Sequence, residues 1–287
     1  MNLCVGRIGL VWVFILAAAW LNAGAQPMAG DRAAPEAEPK HGAEIANSLG
    51  MKLVYIPPGK FLMGSPSEEK GRFDDEEQHE VEITRGFYLG KYEVTQEAYE
   101  KVVGKNPSAF RGPKLPVETV SWNEAKEFCR VLSMKEGRGG KDGKGADGYR
   151  LPTEAEWELA CRAGTKTPYH FGKTISMAQA NFYNPKKMGT VEIGKYAPNA
   201  WGLHDMHGNV WEWCEDGYGR DYAKNTAKQD PKGSLSGASG YRRVIRGGSW
   251  GVDPTFCRSA VRGTNEGGQH HNIGFRIALS FVPATSQ

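Results

Sequence analysis
The chain has little cysteine. There are five in 287 residues, and Cys4 precedes an apolar N-terminal run, which leaves Cys129, Cys161, Cys214 and Cys257. No two of these lie close together, so neither a zinc knuckle nor a C-x-x-C redox pair is present. Neither sign of charge dominates: 36 Lys and Arg against 33 Asp and Glu give a net charge of +3. With no basic run of five or more, nucleic acid is excluded as an expected partner. The one long hydrophobic run, Leu10 to Leu21, is shorter than the roughly 20 residues a membrane span needs. No internal repeat at a fixed period is seen, which argues against solenoids and propellers.

Glycine and aromatic side chains are plentiful. The chain holds 37 Gly, 8 Trp, 11 Tyr and 11 Phe, which predicts many turns around a few large buried rings and excludes an all-helical protein. A hydrophobic fraction of 39% with 24% charged residues suits a globular domain rather than a disordered chain. Arg7, the apolar run and Ala23-Gly24-Ala25 read as a cleaved secretory signal over residues 1–25. Residues 26–48, rich in Ala, Pro, Glu and Gly without an apolar period, read as a flexible tether. The folded domain is assigned to 49–287, with order starting near Met51. The expected location is secreted or periplasmic, with no membrane span after cleavage. Export permits disulfides, and four cysteines allow three pairings that the sequence leaves open.

Two short apolar runs flank Pro57-Pro58-Gly59 and predict a strand, a turn and a strand over 51–64; Val81 to Tyr92 predicts a further strand pair. Three helices carry start signals. Thr95 caps one running to about Val103, Ser121 with Glu124 forms a capping box, and Thr153 with Glu156 forms another, ended by Gly164. Past Gly164 the helical period disappears. The architecture expected is α+β in one domain, with a large loop-rich half.

Seven phrases then occur in one order. They are Tyr92-Glu93-Val94-Thr95, Pro116 to Trp122, Tyr149 to Glu158, Pro198-Asn199-Ala200-Trp201-Gly202-Leu203, Gly208 to Trp213, Arg246-Gly247-Gly248-Ser249-Trp250 and Asn272-Ile273-Gly274-Phe275-Arg276. The series closely resembles the formylglycine-generating enzymes, or sulfatase-modifying factors, over about residues 51–280. The resemblance implies a C-type-lectin-like fold with little regular secondary structure. It also implies a choice of activities. The family includes oxidases of substrate cysteine, sulfoxide-forming enzymes of ergothioneine synthesis, a periplasmic siderophore-maturation branch, and proteins that only bind or scaffold. The ergothioneine type draws its iron ligands from a separate helical domain, which residues 1–50 do not supply.

The oxidases resemble one another in holding copper(I) between two thiols five residues apart, a soft ion on soft ligands. Here Cys257 matches the second thiol and Val252 matches the first. Val252 cannot bind a metal, so neither standard formylglycine chemistry nor a copper or iron cofactor is expected. Cys257, Ser249 and Glu266 are the catalytic candidates, with Glu266 a general base or a solvated charge. Trp211, Trp250 and Arg258 are the candidate substrate contacts. Arg246, Arg258, Arg262 and Arg276 form either carboxylate contacts in the core or a surface for an anion. Asp205 and Glu212 offer hard oxygens around Gly208. The resemblance places calcium ligands at Asp205, the carbonyls of Gly208 and Val210, and Glu212, for a structural calcium ion. The family's other calcium site would begin at Asn181-Phe182, but the carboxylate expected within the following segment is absent. His204, His207, His270 and His271 are read as ordinary loop residues rather than a metal set. The chain is thus expected to be an exported family member that either binds and scaffolds or runs altered oxidoreductase chemistry. Its partner would be an exported peptide, a protein or a peptide-derived metabolite.

Overall fold
The structure, a computed structural model, describes residues 38–233 and 241–281. The signal assigned to residues 1–25 lies outside the described residues. Order begins earlier than composition suggests: β1 (Glu44–Ala46) pairs antiparallel with β2 (Lys52–Ile56), inside the segment read as tether. Three residues of an edge strand are too few to show a period, so composition alone hides them.

β3 (Gly59–Met63) and β4 (His79–Ile83) form a separate two-stranded ribbon, and β5 (Phe87–Gly90) returns beside β2. The runs either side of Pro57-Pro58 are therefore strands as expected, but they belong to different sheets. α1 (Gln96–Val103) and α2 (Trp122–Lys135) follow, then β6 (Tyr149–Arg150) and α3 (Glu154–Arg162). The second half holds β7 (Trp211–Gly217), β8 (Arg243–Arg246), β9 (Gly263–Asn265), β10 (Ile273–Gly274) and β11 (Ala278–Ser280), joined by long loops. One sheet runs β1-β2-β5-β11-β6 and a second β10-β7-β8-β9. β11 zips the chain end between β5 and β6, with Ala278 opposite both Leu89 and Arg150.

The capping signals act as read. The Thr95 hydroxyl accepts from the Ala98 N–H at 3.2 Å, and both capping boxes are closed. α2 buries Ala125, Phe128, Cys129 and Leu132 on one stripe, the face a 3.6-residue period requires. α3 differs: all nine of its residues are buried. It stops at Ala163, in a left-handed conformation at φ 46°, one residue before Gly164. A buried helix bearing Glu154, Glu156, Glu158 and Arg162 must pair each charge, because an unpaired buried ion is costly. Glu154 pairs with Arg262, Glu156 with Arg150, and Glu158 with Arg162 and Arg246.

β7 lies between two hydrophobic clusters. Alternation along the strand turns Trp211 and Trp213 to the cluster built on α1 and α2, and Cys214 to the one built on α3. Glu212 thereby points toward Trp157 of α3. This register sets the position of the residues described next.

Candidate functional site
β8 ends at Arg246, whose guanidinium is fully buried against Glu158 and the carbonyls of Ser259, Ala260 and Val261. The chain then turns through Gly247 and Gly248. Gly248 sits at φ 78°, and a Cβ there would come within 2.4 Å of the Cys257 sulfur. Only glycine lets the backbone pass so close to the thiol. The Ser249 hydroxyl accepts from Asn272 Nδ2 at 3.1 Å and faces the Gly251 N–H at 3.4 Å. Cys257 closes a short 3-10 turn at Pro254–Cys257 and joins an apolar cluster with Tyr169, Ala180 and Phe182, against which Val252 packs. The site thus brings Ser249, Val252, Cys257 and Asn272 together. Asn272 is a site residue that the sequence reading misses; its place in the Asn-Ile-Gly-Phe-Arg phrase is the signal that points to it.

Burial pushes the Cys257 thiol well above its ordinary value, and the Ser249 N–H is the main opposing influence. A buried neutral thiol is a poor nucleophile and a poor soft-metal ligand. Cys129, Cys161 and Cys214 are also buried and free, so none of the three possible pairings is formed among the described residues. His207 buttresses the site. Its Nε2 accepts from the His170 N–H at 3.1 Å, so Nδ1 carries the proton and donates to the Cys257 carbonyl at 2.7 Å. Burial, then His170, lower His207 to about 3, which keeps it neutral.

A second cluster lies behind the site. Arg276 grips Glu212 in two bonds of 2.6 Å, and Trp157 Nε1 donates to the same carboxylate at 2.8 Å. Glu93 accepts from Asn209 Nδ2 at 2.7 Å and from the Val210 N–H at 3.2 Å. Asp205 accepts from the Gly194 N–H at 2.6 Å, while its other oxygen is buried without a partner. Asp205 and Asn209 adopt left-handed conformations at φ 57° and 63°, and at Gly208 a Cβ would come within 2.3 Å of the Asn181 carbonyl. Arg276 is ion-paired with Glu212 alone, and its charge also favours the ionised forms of the buried Glu93 and Asp205. Burial and then Asp205 push Glu93 well up, and burial raises Asp205 to about 6. Excess buried negative charge with an orphan oxygen is a chemical fit for a hard cation. Glu212 fits less well, since Arg276 already occupies both its oxygens. Among the described residues no three His, Cys, Asp or Glu side chains form a ready metal set, so a cation here would rely on carbonyls as well. Glu93 was missed as a candidate because a lone acid in a helix-start phrase carries no local sign of burial.

Several expected site residues lie elsewhere. Arg258 is buried and ion-paired with Glu69 and Glu76, which removes it from substrate contact. Arg262 and Arg276 are likewise committed to carboxylates, so the arginine group is structural and not an anion surface. Trp211 packs in the α1–α2 cluster, and Trp250 is 6% exposed, edge-to-face on Phe110 at 5.3 Å. Glu266 is exposed after β9, and no hydrogen bond joins it to Ser249 or Cys257 among the described residues. The four histidines separate: His204 stacks on Tyr92, His207 on His170, and His270 on His271. A copper(I) site does not fit, because Cys257 is a single buried thiol and Val252, which packs against the same apolar cluster, is aliphatic.

The fold and this site define an α+β, loop-rich domain of the C-type-lectin-like sulfatase-modifying-factor type. The model of the sulfatase-modifying factor enzyme 1-like domain matches residues 41–281, and the chain belongs to that family. It is 34% identical over 245 residues to the serine/threonine-protein kinase pkn1 of Chlamydia caviae, covering 80% of this chain and 38% of the relative. It is 33% identical over 184 residues to the formylglycine-generating enzyme of Streptomyces coelicolor, covering 58% of this chain and 53% of that one. The chain thus spans only part of the length of these curated relatives. Among solved structures, PvdO from Pseudomonas aeruginosa superposes with a TM-score of 0.73 at 31% identity, covering 85% of this chain and all of the other. Treponema denticola variable protein 1 gives 0.70 at 28% identity, covering 82% and 98%. No helix among the described residues is long and apolar enough to cross a membrane.

Proposed function
We propose that this chain is an exported family member that binds an exported peptide, or a metabolite derived from one, at the Ser249–Asn272–Cys257 site, without two-thiol copper oxidation. One observation carries the reading: Val252, where metal chemistry would need a second sulfur, packs against the apolar cluster that buries Cys257 and keeps its thiol neutral. In this reading Asn272 holds the Ser249 hydroxyl in place for a ligand, and Trp250 walls the site. Calcium is the proposed structural ion, drawing on Asp205, the carbonyls of Gly208 and Val210, and Glu212, with Glu93 adding charge behind them. The orphan Asp205 oxygen supports it. It would tie down a loop that lacks regular structure.

A second reading, an oxidoreductase with altered chemistry, is favoured by the Ser249–Asn272 hydrogen bond beside a retained thiol. The test is a Cys-x-Pro-x-Arg peptide incubated with copper in air beside an active formylglycine-generating enzyme. The wild-type chain should leave the peptide mass unchanged. Aldehyde formation by the wild type would overturn the first reading. Val252→Cys should bind copper(I) near 1:1 where the wild type does not; no gain would show that the missing thiol is not what prevents binding.

A further inference from the structure
A cavity of about 350 Å³ opens in the loop between α3 and β7, walled by Met177, Ala180, Phe182 and Tyr196, with Lys187 and Lys195 at its edge. The lysines are placed by structure. Asn184 organises a turn in which its side-chain oxygen accepts from the Lys186 N–H at 3.0 Å and its carbonyl from the Lys187 N–H at 2.9 Å. The Lys195 ammonium lies 5.9 Å over the Tyr196 ring. No carboxylate lies within ion-pair distance of either lysine among the described residues. Contact with Lys187 lowers the Lys195 amine from its ordinary value, and Glu192 is the weakest influence on it. Two ammonium groups at the edge of one cavity repel; an oxyanion between them turns that repulsion into two charge-assisted hydrogen bonds.

The loop that carries the cavity supplies a second, independent observation. Met177, Tyr183 and Met188 are each about half exposed, at 51%, 47% and 55%. Three large apolar side chains in water within one short loop mark a contact surface, and methionine adapts to varied apolar shapes. The loop also touches the candidate site. The Tyr183 N–H donates to the Val252 carbonyl at 2.9 Å, and Phe182 packs with Cys257.

We infer that this cavity binds an oxyanion carried on an apolar body, the anion on Lys187 and Lys195 and the body against Phe182 and Met177. The inference stands apart from the reading above, since it requires no chemistry at Cys257. It does predict that a ligand reaching from the site into the cavity is anionic.

The test is calorimetric titration of the full chain with octyl phosphate, octanoate and inorganic phosphate, all below micelle formation. Saturable 1:1 binding of an alkyl anion is expected, weakening with added salt. Preference between octyl phosphate and octanoate distinguishes a phosphate ester from a carboxylate as the natural group. The double variant K187Q/K195Q should lose roughly tenfold or more in affinity, as for bonds to charged groups. Lys187→Arg with Lys195→Arg should retain binding, and Lys166→Gln should not alter it. No saturable binding of either alkyl anion, or equal affinity in K187Q/K195Q, would overturn the site. Inorganic phosphate binding as tightly as octyl phosphate would overturn the apolar part.

Discussion
Arg276→Gln tests the electrostatics behind the site. In the native fold Arg276 is fully buried, holds Glu212 through two 2.6 Å bonds, and donates to the carbonyls of Gly90 and His204 at 3.0 Å each. It pairs with Glu212, and its charge also favours the ionised forms of Glu93 and Asp205. Glutamine keeps a donor but removes the charge. Breaking a buried pair from one side costs about 3–5 kcal/mol, because the remaining carboxylate is left uncompensated. That is a large fraction of the roughly 5–15 kcal/mol that holds a domain folded. Urea unfolding at pH 7 followed by tryptophan fluorescence reads the loss directly. A calcium arm separates two origins of the effect. If the carboxylates hold calcium, saturating ion stabilises the folded state by about 2.7 kcal/mol at one hundred times Kd. The gain should be larger in Arg276→Gln than in the wild type, where Arg276 competes for Glu212. A destabilisation under about 1 kcal/mol would refute the view that Arg276 neutralises a buried acidic cluster. An equal calcium response in both proteins would refute the competition.

Other outcomes follow from the same structure. Asp216 accepts from the Glu154 N–H at 2.7 Å and the Gly233 N–H at 2.5 Å, and burial, then Glu154, raise it from 3.8 to about 7. A carboxyl raised on folding contributes stability that is full below pH 3.8 and lost as pH rises through about 7, on the order of 4 kcal/mol. The wild type minus Asp216→Asn difference in unfolding free energy should fall across that window; a flat difference would contradict it. The four thiols should resist a thiol reagent at pH 8 in the folded protein and react fully in urea, and fast stoichiometric labelling of native protein would contradict their burial. Glu158→Gln removes the partner of Arg246 and Arg162 and should cost about 3–5 kcal/mol in urea unfolding; a change under 1 kcal/mol would mean that the network reorganises. Exported protein should have an intact mass that starts at Gln26, and a start at Met1 would contradict signal cleavage.

Local signals were legible in the sequence. Thr95, Ser121 and Thr153 start their helices because capping involves residues only two or three apart. The α2 stripe was readable for the same reason. The strands at 52–56 and 59–63 were found, but not their separation into two sheets, because pairing joins residues far apart in the chain. β1 was missed because three residues carry no period. At the site, Cys257 and Ser249 were found through the order of motifs, while for Arg258 the choice between substrate contact and buried carboxylate partners stayed open. A guanidinium in sequence looks the same whether it faces solvent or, as here, Glu69 and Glu76 across some 180 residues.

The sequence by itself determined the family, the helix starts, and the absence of a second thiol at Val252, because each is a matter of residue identity at short range. The tertiary structure alone decided which charges are buried and with whom. It paired Arg276 with Glu212 near two further buried carboxylates, made His207 a neutral brace for Cys257, and set two lysines at the edge of one cavity. Burial and pairing depend on chain segments that meet only after folding, and no local pattern encodes the desolvation that changes their chemistry.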